Sequence, residues 1–418
     1  MNSRKFVLIV ITLLLSTLAF VSVAQALSAT QGIPAQANLA NVRDFAPAPS
    51  ADSLNYAVDG GLLYVGETGA WLPVSTPAGV VVNAVAQDSR LADVVYMGAA
   101  NELTIYRSTD GGLNWQPILL SEQMGAVTDI AVDSVNHMVY VGTDSAGLFR
   151  LRDVGTSLIS GGRLALDEPV VQVAVDNSGS GLAFVRTAWN LYRAENGGLN
   201  WSKVENLLSV PTALAIADTS PATVYVGTAD RGVLSSTDGL TWQTANAGLG
   251  ITPGSRLYVD ALAVDPMQPE VVYVSSSFLF GSTQTHATSQ GVAMSQDSAQ
   301  AWTTLAPALD GNVAVVELLP VSGQPGAVFA LAANSRTPLA LGSAPTVPAL
   351  AAAELVTAPT LAAQPAAPAT NWLAWIVAAL AGLALAFAVG TDLFWRWSRK
   401  PVFGKIERKP AAVPVGHK

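Results

Sequence analysis

Three short strings in this chain place serine, aspartate, glycine and tryptophan at similar spacing: RSTDGGLNWQ (107–116), RAENGGLNWS (193–202) and SSTDGLTWQ (235–243). A fourth string, SQDSAQAW, occupies 295–302. A serine two residues before a carboxylate raises the question of nucleophilic or acid–base chemistry, whereas adjacent Asp and Gly are typical of a turn. The copies differ where catalysis would require identity, because Ser108 and Asp110 are replaced by Ala194 and Asn196. We therefore interpret the strings as repeated turns.

Each residue type in these turns has a physical role. Asp110 and Ser108 are able to accept hydrogen bonds from backbone N–H groups that the turn leaves unpaired. Gly112 permits a positive φ without steric cost, and Trp115 is expected to bury its ring between neighbouring units. The predicted turn residues are Ser108, Asp110, Gly112, Trp115, Asn196, Gly198, Trp201, Asp238, Gly239, Trp242, Ser295, Asp297 and Trp302.

A repeat of 42–47 residues organises the middle of the chain. Short apolar strings end in aspartate at positions 88, 133, 176, 218 and 265, and each is followed by a string such as VVYMG or TVYVG. With the Trp-containing turn, each unit contains four predicted strands and no amphipathic helix. Four short strands in a unit of this length are typical of a β-propeller blade, so the predicted fold class is all-β.

The sequence places five blades at roughly 81–120, 126–166, 170–207, 212–249 and 259–306. Three more strands are predicted within Asn55–Val74, and a first and second strand at 313–320 and 327–333. Because a ring must close, the two ends supply either one composite blade or two incomplete blades. We expect seven blades, with six as the alternative.

The string Ser108 to Trp115 resembles the Asp-box, S-x-D-x-G-x-x-W, of the Asp-box (BNR-repeat) propellers. The resemblance covers roughly residues 51–342 and implies that each box joins the third and fourth strands of a blade. This family includes sialidases, xyloglucan-cleaving glycosidases, sortilin-type receptors and photosystem II assembly factors. The resemblance therefore implies an architecture and leaves the function open.

Both ends of the chain have targeting features. Met1–Ala26 has the basic, apolar and small-residue regions of a signal peptide, with cleavage expected after Ala26 and an uncleaved anchor as the alternative. The apolar run Trp372–Phe394 is long enough to cross a bilayer and is followed by basic residues, which favour the cytoplasm. The predicted order is signal peptide 1–26, linker 27–50, propeller 51–342, Ala/Pro/Thr-rich stalk 343–370, transmembrane helix 371–395 and basic tail 396–418.

This order predicts a single-pass protein of a cell membrane, with the propeller outside and the C-terminus in the cytoplasm. The outer space is either the periplasm or the cell exterior, and the absence of cysteine favours a bacterial source. The lipid bilayer is accordingly an expected contact of Trp372–Phe394.

Composition excludes several functions. Between Leu27 and Asn371 there are 12 Arg or Lys against 28 Asp or Glu, a net charge of −16, which disfavours nucleic acid as a partner. The absence of cysteine removes thiol nucleophiles and thiolate metal sites. No phosphate-binding G-x-x-x-x-G-K, calcium loop or G-x-S-x-G occurs. We predict no cofactor, no metal and no nucleotide.

Glycoside hydrolysis is the enzymatic alternative. A sialidase would need an R-I-P segment, which the sequence lacks, and three converging arginines, for which the 12 basic residues between Leu27 and Asn371 leave few candidates. A pair of carboxylates across a groove stays open, because spacing along a propeller does not report their separation. Asp129 and Asp260 precede predicted inner strands and are expected to point into the mouth of the central channel. The candidate acids are Asp59, Glu67, Asp93, Glu102, Asp129, Asp144, Asp230, Asp260 and Glu317.

One predicted loop, 276–290, is longer than its equivalents and contains two phenylalanines that are expected to be exposed. Long loops on a rigid scaffold often carry recognition, so Phe278, Phe280 and His286 are predicted to contact a partner. The alternative is a lid-like loop without function. The sequence thus predicts a non-catalytic module that binds a protein or a glycan, with a glycan-cleaving hydrolase as the alternative.

Overall fold

The computed structural model describes residues 37–49, 53–67, 70–250, 254–281, 285–321 and 324–342. In these residues 27 β-strands form seven antiparallel sheets, each built from consecutive strands, which is a seven-bladed β-propeller. The all-β fold and the larger of the two expected blade numbers are therefore confirmed. The described part of the chain contains no helix that is long and apolar enough to cross a membrane. The predicted signal peptide, stalk, transmembrane helix and basic tail lie outside the described residues.

The first four blades follow the chain in order. Blade 1 contains β1 (Val42–Ala46), β2 (Asn55–Asp59), β3 (Leu62–Glu67) and β4 (Ala70–Pro73). Blade 2 contains β5 (Val82–Gln87), β6 (Val95–Ala99), β7 (Thr104–Ser108) and β8 (Gln116–Leu119). Blade 3 contains β9 (Val127–Asp133), β10 (Met138–Thr143), β11 (Leu148–Asp153) and β12 (Leu158–Leu164). Blade 4 contains β13 (Val170–Val175), β14 (Ala183–Thr187), β15 (Leu191–Glu195) and β16 (Asn200–Lys203).

The last three blades complete the ring. Blade 5 contains β17 (Pro211–Ala217), β18 (Thr223–Thr228), β19 (Val233–Ser236) and β20 (Gln243–Thr244). Blade 6 contains β21 (Arg256–Val264), β22 (Val272–Phe280), β23 (His286–Ser295) and β24 (Thr303–Ala306). In the described residues, blade 7 contains β25 (Val315–Pro320), β26 (Ala327–Ala332) and β27 (Ser335–Gly342).

Each end of the ring differs from the sequence expectation in one respect. Strand β1 is the inner strand of a complete first blade, although its residues fall in the range predicted to be a linker. The propeller therefore begins before residue 51. The predicted strands at 313–320 and 327–333 correspond to β25 and β26, and β27 was not expected. The ring closes through a parallel bridge between Asn41 and Arg336.

The core lies between the blades, on the second strand of each sheet. Its aromatic side chains are fully buried because each sheet is covered on both faces by its neighbours. The residues are Tyr96, Tyr140, Phe184, Tyr225 and Tyr273.

The glycine that ends several second strands has a packing role. A Cβ at Gly98 would lie 2.3 Å from Val127 Cγ1, and one at Gly227 would lie 2.4 Å from Val259 Cγ1. Each valine belongs to the inner strand of the next blade, so these glycines allow close approach between blades. In blade 4 the equivalent position is Arg186, and the next inner strand begins with Pro211 instead of valine.

The box strings lie in the turns between third and fourth strands of blades 2, 4, 5 and 6. In blade 2, Gly112 N donates to Ser108 Oγ (2.8 Å) and Asn114 N donates to Asp110 Oδ1 (2.9 Å). Gly112 has a φ of 89°. In blade 6 the equivalent residue is Ala299, which keeps a φ of 64° and donates its N–H to Ser295 Oγ (2.9 Å). The turn therefore tolerates the loss of glycine because its serine and aspartate bonds remain.

The box tryptophans contact the preceding blade. Trp302 is 4% exposed, and its Nε1 donates to Ala245 O of blade 5 (2.7 Å). Trp201 makes an edge contact with Tyr140 of blade 3, with ring centroids 6.3 Å apart. Trp242 meets Phe184 of blade 4 in the same way at 6.4 Å. These rings therefore join neighbouring blades, as the sequence predicts.

Blade 3 has no box tryptophan and uses a different link. Asp153, at the end of β11, accepts hydrogen bonds from Tyr96 Oη and Arg107 Nε of blade 2, the latter at 2.7 Å. The Arg107 and Asp153 side chains are 6% and 11% exposed. The Arg107 and Tyr96 hydrogen bonds lower the pKa of Asp153 against the opposing effect of its burial. A buried ion pair thus joins blades 2 and 3.

Candidate functional site: the central channel

All seven inner strands carry a β-bulge near their first residue. In β9, Gly142 pairs with Asp129 and Thr143 with Val127, which leaves Thr128 as the extra residue. In each of the six remaining inner strands, two residues likewise lie opposite one residue of the second strand. The extra residues are Arg43, Asn83, Thr128, Val171, Thr212, Asp260 and Val316. Bulges redirect side chains, and here they form a ring around the channel.

This ring surrounds a cavity of about 860 Å³ at the end of the propeller where the inner strands begin. Its wall contains residues from the inner strands of all seven blades. The ionisable groups are mixed in sign: Asp44, Asp129, Asp260, Glu317, Arg43, Arg186 and Arg336. Three positive charges among four carboxyls make the channel polar without a strong net charge.

Five polar residues of the channel wall, each an extra residue of a bulge or the residue after it, bond to the backbone of the next blade. Asp44 Oδ2 accepts from Val85 N (2.8 Å). Asp129 Oδ2 accepts from Val173 N (2.6 Å).

Amides and a hydroxyl do the same at the intervening positions. Asn83 Nδ2 donates to Val127 O (2.6 Å), and Gln172 Nε2 donates to Leu214 O (2.8 Å). Thr212 Oγ1 donates to Val259 O (2.7 Å). Five consecutive junctions, from blade 1 to blade 6, are therefore joined at the channel wall.

The junction between blades 7 and 1 uses arginine. Arg336 donates to the carbonyls of Val42 and Arg43, the latter at 3.2 Å, and to Glu317 Oε2 at 3.1 Å. Glu317 is thus held by an arginine of its own blade, and that arginine closes the ring.

Among the four acids of the channel wall, Asp260 has neither a bond to the next blade nor an arginine partner in the described residues. It accepts a hydrogen bond from Ser277 Oγ of its own blade (2.7 Å), and no bond to blade 7 is found in the described part of the chain. Its carboxylate is therefore the one least used by the scaffold.

Burial raises the pKa of all four acids at the channel wall. It raises the pKa of Asp129 to about 6, although the Ile130 and Val173 backbone N–H groups and Arg186 oppose the shift. It raises the pKa of Asp260 to about 6 and that of Glu317 to about 7, in the second case against the attraction of Arg336. The pKa of Asp44 is also raised, by burial and by the neighbouring Asp129 and Glu317.

Burial also lowers the pKa of one arginine at the channel wall, Arg186. The pKa of Arg186 falls to about 10, with Asp129 and Tyr258 opposing the shift. Arg186 Nε donates to Gln172 Oε1 (3.2 Å), so this guanidinium is oriented by the same ring.

The structure separates the candidate acids into two groups. Asp129, Asp260 and Glu317 line the channel cavity. Among the others, Asp59 accepts from Asn41 N (2.6 Å), and Asp144 accepts from Ala126 N (2.9 Å). Of the candidates that the structure describes, the remaining acids outside the cavity wall are Asp93, Glu102 and Asp230. No group of three potential metal ligands occurs in the described part of the chain.

The predicted contact residues lie on a long hairpin rather than in an irregular loop. Strands β22 and β23 continue their pairing as far as Phe280 and His286. Phe278 is 6% exposed and packs in the core, so the expectation of two exposed phenylalanines is wrong for this residue. Phe280 is half-buried and meets Phe278 at a centroid distance of 6.1 Å, whereas His286 is exposed. The contact stays a prediction for the end of this hairpin.

Four ionisable channel residues were not predicted from the sequence. Arg43 and Asp44 lie in the range predicted to be a linker. Arg336 lies on a strand that was not expected. Arg186 had a detectable signal, because it replaces the glycine that ends the second strand in blades 2, 3 and 5.

No family model and no curated protein matches this sequence. Solved structures do match its fold. The GH74 xyloglucanase from Xanthomonas campestris has a TM-score of 0.53 and 18% identity, over 71% of this chain and 51% of that chain. YCF48 bound to D1 peptide has a TM-score of 0.52 and 16% identity, over 74% of this chain and 99% of that chain. YCF48 from Cyanidioschyzon merolae has a TM-score of 0.51 and 14% identity, over 73% and 96%.

At these identities the likeness shows the propeller fold alone. The chain spans about half the length of the xyloglucanase, and it spans nearly all of both YCF48 chains.

Proposed function

We propose that this protein is a non-catalytic binding module, exported and held at a cell membrane, whose propeller recognises a protein partner outside the cell or in the periplasm. The observation that carries the proposal is that three of the four channel acids are already bonded to the next blade or to an arginine. Asp44 and Asp129 accept backbone N–H groups of the next blade, and Glu317 is paired with Arg336. A glycosidase needs two available carboxyls, and this channel offers one, Asp260.

The agreement in length with YCF48 supports the same proposal. The matching solved structure is of YCF48 bound to D1 peptide, which is a propeller with a bound peptide. The hairpin of blade 6 offers a contact surface that fits such a role, because Phe280 and His286 lie at its end on a rigid extension of the sheet.

The test is a pull-down with the full chain in detergent, run beside a glycan array. The variant Phe280→Ala/His286→Ala is compared with Trp189→Ala, which removes a 68% exposed aromatic from the β14–β15 turn of blade 4. We expect a protein that wild type and Trp189→Ala retain and that the hairpin variant loses at least tenfold. Capture confined to oligosaccharides, or a partner indifferent to the hairpin, would count against the proposal.

A second candidate is a glycan-binding or glycan-cleaving role at the channel. It is favoured by the pKa values of about 6 for Asp260 and about 7 for Glu317, which suit a general acid at neutral pH. Release of reducing ends from xyloglucan, lost in Asp260→Asn and retained in Asp230→Asn, would establish this candidate in place of the first.

A further inference from the structure

The second strand of blade 4 departs from the repeat near its end. In blades 2, 3 and 5 the equivalent residues are Gly98, Gly142 and Gly227, and a Cβ on any of them would lie 2.3–2.5 Å from the first valine of the next inner strand. In blade 4 this position holds Arg186, and the next inner strand begins with Pro211 instead of valine. The two changes match, because a valine at that distance leaves no room for a side chain.

Arg186 lies on the wall of the channel cavity in a fixed orientation. Its Nε donates to Gln172 Oε1 (3.2 Å), and Gln172 Nε2 donates in turn to Leu214 O of blade 5 (2.8 Å). Among the described residues, neither Nη atom of Arg186 takes part in a hydrogen bond or an ion pair. The guanidinium is therefore oriented by its Nε, and its two Nη groups stay available at the cavity wall.

The charge of Arg186 lies in an unfavourable environment. Burial lowers the pKa of Arg186 to about 10. Two other arginines have a carboxylate partner, Asp153 in the pair with Arg107 and Glu317 in the pair with Arg336. A desolvated cation is costly without such a partner. An oxyanion in the cavity would supply the missing partner, and a carboxylate matches the planar fork of a guanidinium.

The cavity limits the kind of molecule that could carry this oxyanion. Its volume of about 860 Å³ lies in the range of small-molecule sites, about 300–1,000 Å³. The four acids of the same wall, Asp44, Asp129, Asp260 and Glu317, would repel a multiply charged anion such as phosphate. Asp260 accepts a hydrogen bond from Ser277 Oγ alone, so its carboxylate can also accept one from a hydroxyl group of a ligand. A single carboxylate on a hydroxylated frame therefore suits this cavity.

We propose that the channel binds a small hydroxylated carboxylic acid, whose carboxylate accepts hydrogen bonds from both Nη groups of Arg186 and whose hydroxyl groups donate to the acids of the wall, including Asp260. Sugar acids and simple hydroxy acids share this chemistry. The site is separate from the hairpin contact proposed above, so either proposal can fail without the other.

Isothermal titration calorimetry on the full chain in detergent tests the class of ligand. The probes D-glucuronate and D-glycerate represent a sugar acid and a hydroxy acid, and D-glucose has the hydroxyl groups without the carboxylate. We expect at least one of the two acids to bind at least tenfold more tightly than D-glucose, and the tighter acid identifies the source. Binding of D-glucose as tight as that of the acids, or binding of neither acid, would overturn the proposal. So would tighter binding of inorganic phosphate than of both acids.

Variants of Arg186 test the residue. Arg186→Gly introduces the residue that blades 2, 3 and 5 have, and Arg186→Gln keeps a long polar side chain without the charge. We expect each variant to bind the acid at least tenfold more weakly than wild type. The control is Arg152→Gln, which removes an exposed charge of β11 outside the cavity wall and should bind as wild type does. Wild-type affinity in both Arg186 variants would rule out the assigned contact.

Thermal unfolding gives a second readout that allows for a variant of lower stability. A ligand that binds only the folded state raises the unfolding temperature. We expect the acid to raise the unfolding temperature of wild type and of Arg152→Gln, and to leave that of both Arg186 variants unchanged. A rise of equal size in all four proteins would place the acid at another site and contradict the proposal.

Discussion

The box turns and the channel ring both repeat once per blade, yet they use hydrogen bonds of different range. In the box turn of blade 2, Ser108 and Asp110 bond to groups at most four residues away. In the channel, Asp129 bonds to Val173, which is 44 residues away and in the next blade. The serine and aspartate bonds of the box turns therefore stabilise individual blades, whereas the polar bonds at the channel join blades to each other.

This difference explains how each region varies along the chain. A turn with several local bonds can lose one and persist, as the change from glycine to Ala299 shows. The channel ring instead needs any polar atom that reaches the next strand, and it uses aspartate, asparagine, glutamine and threonine for the same task. Removing a bond between blades should therefore cost more than removing one within a turn.

The largest expected effect is at the buried ion pair between blades 2 and 3. In Asp153→Ala, Arg107 keeps its charge and loses its carboxylate, and Tyr96 loses its acceptor. We expect the free energy of unfolding to fall by about 3–5 kcal/mol, measured by urea denaturation. Glu195→Ala is the control, because the Glu195 side chain in its pair with Arg193 is 59% exposed and should contribute at most about 1 kcal/mol. Equal losses in the two variants would remove the distinction between bonds across blades and bonds on the surface.

Asp129→Ala tests a single bond across blades at the channel. The N–H groups of Ile130 and Val173 lose their acceptor, so we expect a loss of about 2–3 kcal/mol. Asp129→Asn keeps one acceptor oxygen and should lose less. A loss below that of a box-turn variant would contradict the assigned roles.

The pH dependence of the stability of Asp260→Asn tests the environment of Asp260, the channel acid with the fewest bonds to the scaffold. Burial raises the pKa of Asp260 to about 6, so the folded state resists its ionisation. The wild type should therefore lose stability as the pH rises from about 4 through about 6. Relative to wild type, the free energy of unfolding of Asp260→Asn should rise by about 1–2 kcal/mol over this range and change little above it. Water in the channel reduces the effect of burial and keeps the rise within this range. A gain that appears instead as the pH falls would show that Asp260 has a cationic neighbour.

The smallest effect is expected in the box turn. Asp110→Ala removes the acceptor of Asn114 N at an exposed site, so we expect a loss of about 1 kcal/mol in urea denaturation. Leu113→Ser, which alters a 60% exposed side chain in the same turn, is the control and should stay within about 0.5 kcal/mol of wild type. A loss at Asp110 as large as that at Asp129 would erase the contrast between the two regions.

Much of the fold was predictable because its signals are local. The five blades in the middle of the chain, the position of each box between third and fourth strands, and the contact of the tryptophans with the preceding blade all follow from short strings and their period. The ends were harder, because β1 lacks the apolar string ending in aspartate that begins blades 2 to 6, and β27 is followed by no box string. An isolated strand of five residues has no pattern that separates it from a linker.

The candidate site was predictable only in part. Asp129 and Asp260 were expected at the channel mouth, and both line it. Their different roles were not predictable, because Asp260 is the extra residue of its bulge and Asp129 follows the extra residue of its own. A shift of one residue turns a side chain to a different direction. The burial of Phe278 was missed because β22 continues through this residue, and all its residues from Val272 to Phe278 are buried between the blades.

The sequence by itself determined the strands, their turns and the blade repeat, because propensity, alternation and turn chemistry act over a few residues. The tertiary structure alone decided which polar groups of adjacent blades meet at the channel wall. Those partners are more than 40 residues apart and depend on bulges in separate strands. It also decided that Asp44 and Asp129 bond to the next blade and Glu317 to Arg336, whereas Asp260 bonds to Ser277 of its own blade. Closure of the ring brings these groups together, and local sequence does not encode their distance.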